Sequence, residues 1–454
     1  VDIRIFRHFQ RNLNQKQIKP RPFFVFFFCF SFTPKPLKEA MHMTEKERKD
    51  SPEQAQFRDY CRNWLSKNDP GPSPVRLPQS AIELTTTEQI EYLRSWQKTA
   101  YDAGLVGCDY PNEYGGGGRN NCQRIANEEM QKAGRPYFPN IIALGMAAPT
   151  LYHHAPEELK RRFLPKIFSC EEIWCQGFSE PDAGSDLANV QTFAERKGDS
   201  WVINGQKIWT SLAQFASWMI ILCRHDRTHK HDGLTYFVVP MQSAFGKGVD
   251  VRPLIKMTGE AGFNEVFFTN LTIPDSFRLD EVGHGWKVAM TTLLHERGAG
   301  PLVTPASGGR TSQTANISSN AMSLISLAKK SSRMGKTAAE DPAIRDRILE
   351  LIIRQTGYAQ SVRRSRVKGL VDHPLRIPQQ GKLLMTEIAQ EVSALGLEIQ
   401  GAASTLYVAD ENAPDAGQWP LGYLNSYGMT IAAGTSEVLR NILGERILGM
   451  PKSK

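Results

Sequence analysis

The sequence predicts an α+β multidomain chain: an N-terminal helical domain, a central antiparallel β-barrel or sandwich, and a C-terminal helical bundle. Three observations carry this. Apolar residues recur at helical spacing from about residue 52 to 172. From Ile173 to about residue 275 the chain turns to β-branched and aromatic runs separated by Gly, Asp and Asn. Helical spacing returns at Gly285 and runs to about residue 448. A length of 454 residues holds two or three domains and a large core. The expected divisions are a leader over 1–42, a helical domain over 43–172, a β domain over 173–281 and a helical domain over 282–454, with a mobile loop at 298–335.

The leader is basic and then apolar, reaching Pro-Phe-Phe-Val-Phe-Phe-Phe-Cys-Phe-Ser-Phe at 22–32. About ten apolar residues are too few for a spanning helix. No small-x-small cleavage site follows. Val1, with Met41 and Met43 just ahead of polar, helix-friendly sequence, reads as an over-extended start; a membrane-associating leader and a targeting peptide remain the alternatives. From Glu53 to Leu65, Phe57, Tyr60, Cys61 and Trp64 mark one helical face, and Ile90, Leu93, Trp96 and Ala100 mark a second helix. Tyr110-Pro-Asn-Glu-Tyr followed by four glycines is a rigid turn and then a flexible one. Helical pattern resumes from about 121 to 168. Strands are expected at Ser200-Trp-Val-Ile, Trp218-Met-Ile-Ile-Leu-Cys, Leu234-Thr-Tyr-Phe-Val-Val-Pro and Glu265-Val-Phe-Phe-Thr-Asn-Leu, with Pro240 ending one. Residues 298–335 are rich in Gly, Ser, Thr, Asn and Ala, which argues for the loop.

Composition narrows the function classes. The net charge is +8, but the first forty residues carry +6 of it, so the body is nearly neutral and no nucleic-acid partner is expected. Cysteines 29, 61, 108, 122, 170, 175 and 223 form no C-x-x-C pair or zinc spacing; buried free thiols in a reducing cytoplasm are expected, and no metal. Outside the leader no segment is apolar enough for a membrane span.

Two segments carry the chemistry. Residues 174–186 read Trp-Cys-Gln-Gly-Phe-Ser-Glu-Pro-Asp-Ala-Gly-Ser-Asp, a sharp turn ending in small residues that let backbone N–H groups and hydroxyls approach a planar, phosphate-bearing ligand. Residues 205–211 read Gly-Gln-Lys-Ile-Trp-Thr-Ser, placing an indole beside two hydroxyls. This pair resembles the flavin-binding signatures of the acyl-CoA dehydrogenase family. The resemblance runs from about residue 52 to the C-terminus and includes the family's Pro-x-x-Tyr-Gly-Gly turn. It implies FAD, with Gln176, Phe178, Ser179, Trp209, Thr210, Ser211, Thr435 and Glu437 at cofactor positions. It also implies Ser185, Arg297 and Gly434 at substrate positions; for Arg297 a solvated helix-end cation is the equal alternative.

An α,β-dehydrogenation of a thioester needs a base for the α proton, a hydride acceptor beside the β carbon, and donors to the carbonyl. No side chain accepts hydride, so a cofactor must. Much of the family places a base glutamate directly before Gly-Thr-Ser near the C-terminus, but here that position is Ala433, whose backbone N–H alone remains for the carbonyl. A second branch carries the base on the first long helix after the β domain, and Glu296 matches it. Spacing supports this independently: Ala289, Leu293 and Glu296 lie at i, i+4 and i+7, along an apolar stripe. A structural ion pair is the alternative for Glu296. His295 points about 100° away around the helix and reads as a packing or surface histidine.

The family's Arg-x-x-Phe-Gly motif is absent, and Gln400-Gly401 only weakly resembles its other interface contact. Other FAD contacts, or sites shared with a non-identical partner, are then expected. The resemblance as a whole implies a cytoplasmic acyl-CoA dehydrogenase giving a trans-2-enoyl-CoA, with the proton going to Glu296 and the hydride to flavin N5. An electron-transfer flavoprotein is the implied acceptor, and the chain would work in a homo- or hetero-oligomer. A site-sharing or non-catalytic subunit and a flavin oxidase or monooxygenase are the alternatives.

Overall fold

A computed structural model describes residues 50–78, 80–296, 317–333, 335–364 and 380–452. Helix α1 (Pro52–Lys67) starts at a capping box in which the Ser51 hydroxyl accepts from Gln54 N and the Gln54 side chain accepts from Ser51 N. Helix α2 (Thr87–Asp102) repeats the device with Thr86 and Gln89. Helices α3 (Gln123–Lys132), α4 (Ala148–His154) and α5 (Glu157–Phe168) complete the first helical layer. Most of the periodic residues of the sequence face inward: Phe57, Cys61, Trp96 and Ala100 share one core with Phe163 and Phe168, while Tyr60 is exposed.

Eight strands follow: β1 (Trp174–Gly177), β2 (Phe193–Lys197), β3 (Ser200–Ser211), β4 (Trp218–Arg224), β5 (Leu234–Pro240), β6 (Val249–Leu254), β7 (Phe263–Pro274) and β8 (Arg278–Leu279). Their order is β6-β7-β3-β2-β4-β5-β8, with β1 beside β4. The sheet is antiparallel as expected through most of its pairings, with two parallel ones added: β1 runs parallel to β4 from Trp174 opposite Trp218, and β2 meets β4 in parallel at Phe193–Arg224. A parallel neighbour needs a long connection, and residues 178–217 supply it. Strand β4 is buried on both faces. Ile220 and Leu222 join the helical core; Met219, Ile221 and Cys223 join a second core inside the β layer.

Helix α6 (Gly285–Glu296) follows the sheet. Sequence order groups it with the C-terminal helices, but its Val288 and Ala289 pack in the N-terminal core beside Tyr236 of β5. Gly285 is required here, since a Cβ would collide with the backbone of Leu234 and Thr235.

The expected loop at 298–335 needs a partial correction. Residues 298–316 lie outside the described residues, but Ser323–Lys330 forms helix α7, and a short ladder pairs β9 (Ser332–Arg333) with β10 (Lys336–Thr337). Leu324, Leu327 and Ala328 fall on one face and enter a third core with helices α8 (Pro342–Arg364), α9 (Gln380–Gln400) and α10 (Gln418–Ile431). Helix α11 (Ser436–Ile442) completes the described helices. The six described cysteines are buried free thiols, and burial pushes Cys61, Cys170 and Cys223 up to about 12. Among the described residues no helix is long and apolar enough to cross a membrane.

Candidate active site

The two signature segments meet through one buried lysine. Lys207 is fully buried on β3 and donates to Phe178 O at 3.0 Å and to Glu180 Oε1 at 2.8 Å. The Glu180 carboxylate also accepts from Thr192 N at 2.8 Å and Gln191 N at 2.6 Å. Burial pushes this carboxyl up, but the Lys207 ammonium and these hydrogen bonds outweigh it and hold it below the usual range. Ile208 N donates to Ser179 O at 2.9 Å, closing a second bond between the segments. Phe178 and Ser179 are thus clamped to the end of β3. Gln176, on β1, pairs with Ile220 in the sheet ladder.

Trp209 sits at an irregularity. The β3–β7 register shifts between Lys207 and Thr210, and Trp209 adopts φ +60°. Its indole is therefore turned outward, 52 % exposed, edge-on to Phe263 at 5.8 Å. Thr210 turns inward. Its carbonyl accepts from Asn264 Nδ2 at 3.1 Å, while its buried Oγ1 finds no partner among the described residues. Ser211 is buried beside it. An exposed indole next to an orphaned buried hydroxyl fits a planar ligand with polar edges.

The C-terminal segment offers a similar feature. Thr435 caps α11, its hydroxyl accepting from Val438 N at 3.2 Å. Ala433 and Gly434 precede it with φ +55° and +100°, and Gly434 O accepts from Lys382 Nζ at 2.8 Å. Ser436 Oγ is buried with no partner among the described residues. Thr435, Ser436 and Glu437 line a cavity of about 250 Å³ together with Thr430, Glu387 and Arg440. Backbone and Thr435 hydrogen bonds hold the exposed Glu437 carboxyl below its ordinary value.

Glu296 closes α6 and is half-buried. One turn earlier Thr292 is fully buried, its hydroxyl 2.8 Å from that of Thr150 and 3.0 Å from that of Tyr236. Tyr236 also packs edge-on against Phe178 at 5.8 Å. Burial pushes the Tyr236 phenol far above its ordinary value, and the nearby Glu296 carboxylate adds to this. His295 instead stacks on His153 at 6.3 Å, where burial holds its imidazole below the ordinary value. Ser185 is exposed on the turn after Ala183. Arg297 lies outside the described residues.

The structure therefore brings Phe178, Ser179 and the Trp209–Ser211 run together and ties Phe178 to the Glu296 helix through Tyr236. Thr435 and Glu437 are held by partners in the C-terminal bundle. Sequence reasoning missed Glu180, Lys207, Tyr236 and Thr292. The first two lie within the quoted signatures, and strand parity marks Lys207, which shares the inward face with Trp201 and Ile203.

Comparison with known proteins places the chain in one family. Three family models match consecutively: acyl-CoA dehydrogenase, N-terminal domain, over 51–171; middle domain, over 175–271; and C-terminal domain, over 283–448. The acyl-CoA dehydrogenase IpdE1 of Mycolicibacterium smegmatis is 36% identical over 414 residues, covering 87% of this chain and 98% of its own length. The IpdE1 of Mycobacterium tuberculosis is 36% identical over 406 residues, with the same coverage of both chains. Among solved structures, the ChsE4–ChsE5 complex from Mycobacterium tuberculosis aligns with a TM-score of 0.69 at 26% identity, covering 90% of this chain and 100% of that one. The Tcur3481–Tcur3483 steroid ACAD aligns with a TM-score of 0.66 at 26% identity, covering 89% and 99%.

Proposed function

The chain belongs to the acyl-CoA dehydrogenase family of oxidoreductases, and from that premise we propose that it desaturates an acyl-CoA thioester to the trans-2-enoyl-CoA with Glu296 as the base and FAD as the cofactor. The observation that carries this is the exchange of positions. A methyl group stands at Ala433, where much of the family has its base, while a half-buried carboxylate ends the helix that Tyr236 ties to Phe178.

Trp209, Thr210 and Ser211 would pack and hydrogen-bond the FAD ring system, with the Phe178–Ser179 backbone on its edge. Orphaned hydroxyls at Thr210 and Ser436 and the exposed indole support this fit. Thr435 and Glu437 would hold its polar chain, where an ionised Glu437 suits hydroxyl donors. FAD, when bound, supplies the hydride acceptor. Glu296 takes the α proton; Val288, Ala289 and Leu293 of its helix pack into the N-terminal core and keep that helix in place. Ser185 and Gly434, with Arg297, would contact the thioester and its CoA arm. An electron-transfer flavoprotein is the proposed electron acceptor, and the cytoplasm the proposed location.

A bulky acyl group is the finer reading, supported by the likeness to the steroid ACAD. The test is an anaerobic titration with straight-chain, branched and steroid acyl-CoAs while following flavin absorbance. We expect Glu296→Gln to keep its flavin and lose about 10²–10⁴-fold in bleaching rate. An unchanged rate removes Glu296 from the role.

A second reading, a site shared with a non-identical chain, is favoured by the missing Arg-x-x-Phe-Gly motif and by the likeness to the ChsE4–ChsE5 complex. A flavin content well below one per chain, restored on mixing with a partner, would select it.

A further inference from the structure

We infer that Tyr236 and Thr292 are positioning residues for Glu296: a buried row of hydroxyls, Thr150–Thr292–Tyr236, fixes the last turn of α6 against the Phe178 loop and so sets where the carboxylate stands and how it is solvated. The inference rests on the Glu296 reading above and deepens it.

The row is short and enclosed. Thr150 on α4, Thr292 on α6 and Tyr236 on β5 are each fully buried, and they come from three different elements. The Thr292 hydroxyl lies 2.8 Å from Thr150 Oγ1, 3.0 Å from Tyr236 Oη and 3.4 Å from its own helix at Val288 O. A hydroxyl gives one proton and accepts two. If Thr292 donates to Val288 O, then Thr150 and Tyr236 both donate to it. If it donates to Tyr236, the phenol proton is turned towards its remaining neighbours. Whichever way it donates, Thr292 is the shared partner of a row whose three members are fully buried. Glu296 is four residues beyond Thr292, hence on the same helix face one turn later. The Tyr236 ring meets Phe178 edge-on at 5.8 Å. A single phenol therefore touches both the loop assigned to the flavin and the helix that carries the base.

Several ionisable groups among the described residues surround α6, and at its first turn His231 packs on Trp286 with ring centres 4.9 Å apart. On the helix itself His295 stacks with His153 of α4. His154 of α4 contacts Thr291 Oγ1 at 2.8 Å and Asp280 at 3.2 Å. Asp280 also holds His284 and Lys287 at the opposite end of the helix. The guanidinium of Arg224, on β4, is bound by the carbonyls of Val190, Ala188 and residues 226–230. Cys223 faces the second core. The five-residue π-turn Ala143–Ala147 carries no ionisable side chain. Among the described residues, Tyr236 bridges the base helix and the Phe178 loop.

The experiment reads Glu296 directly in the full chain labelled with [13Cδ]glutamate, its signal assigned by disappearance in Glu296→Gln. Titration compares Tyr236→Phe, Thr292→Val and Thr292→Ser, with melting curves as a check on folding. Loss of the hydroxyl row frees the last turn of α6 and changes the setting of the carboxylate, so we expect its midpoint to shift by about 0.5–1 unit in Tyr236→Phe and Thr292→Val, and to return in Thr292→Ser. The same two variants should lower the rate of flavin bleaching by octanoyl-CoA, 2-methylpropanoyl-CoA or a steroid acyl-CoA about tenfold, with Ser restoring it. If Thr292→Val fails to fold, Tyr236→Phe carries the test. Midpoints identical to the parent overturn the inference while leaving the base assignment intact. Undiminished bleaching by Glu296→Gln overturns the base assignment, and the inference falls with it.

Discussion

Lys207 shows how much one side chain decides here. Its ammonium is fully buried, and its partners Phe178 O and Glu180 lie in the other signature segment. Removing one member of such a pair strands the other charge in a poorly solvated place, at a cost of about 3–5 kcal/mol. Lys207→Met should lower the unfolding free energy by that amount at pH 7 in urea titrations. The sign with pH follows from the depressed Glu180 carboxyl: its contribution is present above the unfolded value of about 4.3 and is lost as pH falls towards the folded one. In the variant the stranded carboxylate accepts a proton more readily, so the deficit narrows at pH 4. A deficit that does not change with pH would mean the lysine acts through packing alone. The same stretch shows what was legible. Alternation puts Trp201, Ile203 and Lys207 inward, and by parity Trp209 should follow, but the register shift after Lys207 turns the indole out and Thr210 in. The motif names both residues without their orientation; a bulge made by pairing with a distant strand cannot be read locally.

At the scale of elements, helices with clean 3.6-residue spacing were the readable part. The faces of α1 and α2 are buried as the sequence indicates, apart from Tyr60, which is exposed. Helix α7 was hidden because its surroundings are rich in small polar residues, a composition typical of loops; eight residues give too few repeats to stand out. Yet Leu324, Leu327 and Ala328 enter the third core. Leu327→Ala should therefore cost about 2–5 kcal/mol, as core leucines do. A loss under half a kcal/mol in denaturant titrations would return this segment to the loop that its composition suggests. The parallel pairing of β1 with β4 was likewise beyond the sequence, since both strands are buried on two faces and carry no alternation that could fix a direction. Helix α6 was legible as a helix with an apolar stripe, but Thr292, a polar residue beside that stripe, gave no sign of its partners on α4 and β5.

Across the whole molecule, the helical layers and the sheet converge on Lys256, in the connection between β6 and β7. Its ammonium donates to Glu83 Oε1 at 2.6 Å, to Glu260 Oε2 at 3.1 Å and to Asn425 Oδ1 at 2.9 Å, so it joins the N-terminal region, the β layer and α10. Asn425 returns a bond to Glu260 at 3.2 Å, and the Tyr407 hydroxyl donates to Thr258 O at 3.0 Å. The backbone is equally tight: a Cβ at Gly262 would collide with the Ile82 carbonyl. Phe263, which braces Trp209, lies under the Lys256 ammonium at 5.6 Å from its ring centre. Burial raises the Glu83 carboxyl, and Lys256 only partly offsets this. A raised carboxyl contributes stability that is complete below its unfolded value and is lost as pH rises through the folded one. Without the ammonium the folded value climbs further, so Lys256→Met should lose about 1.5–3 kcal/mol at pH 7 and less at pH 4. Because the lysine joins regions rather than building one, the damage should be local to the junction. Amide exchange should quicken at 81–84 and along α10, while β2 and the first half of β3 keep their protection. Quickening spread evenly over the sheet would instead make Lys256 a residue of the β layer alone, and the Trp209 platform would owe its position to β3 and β7 without help from the helical layers.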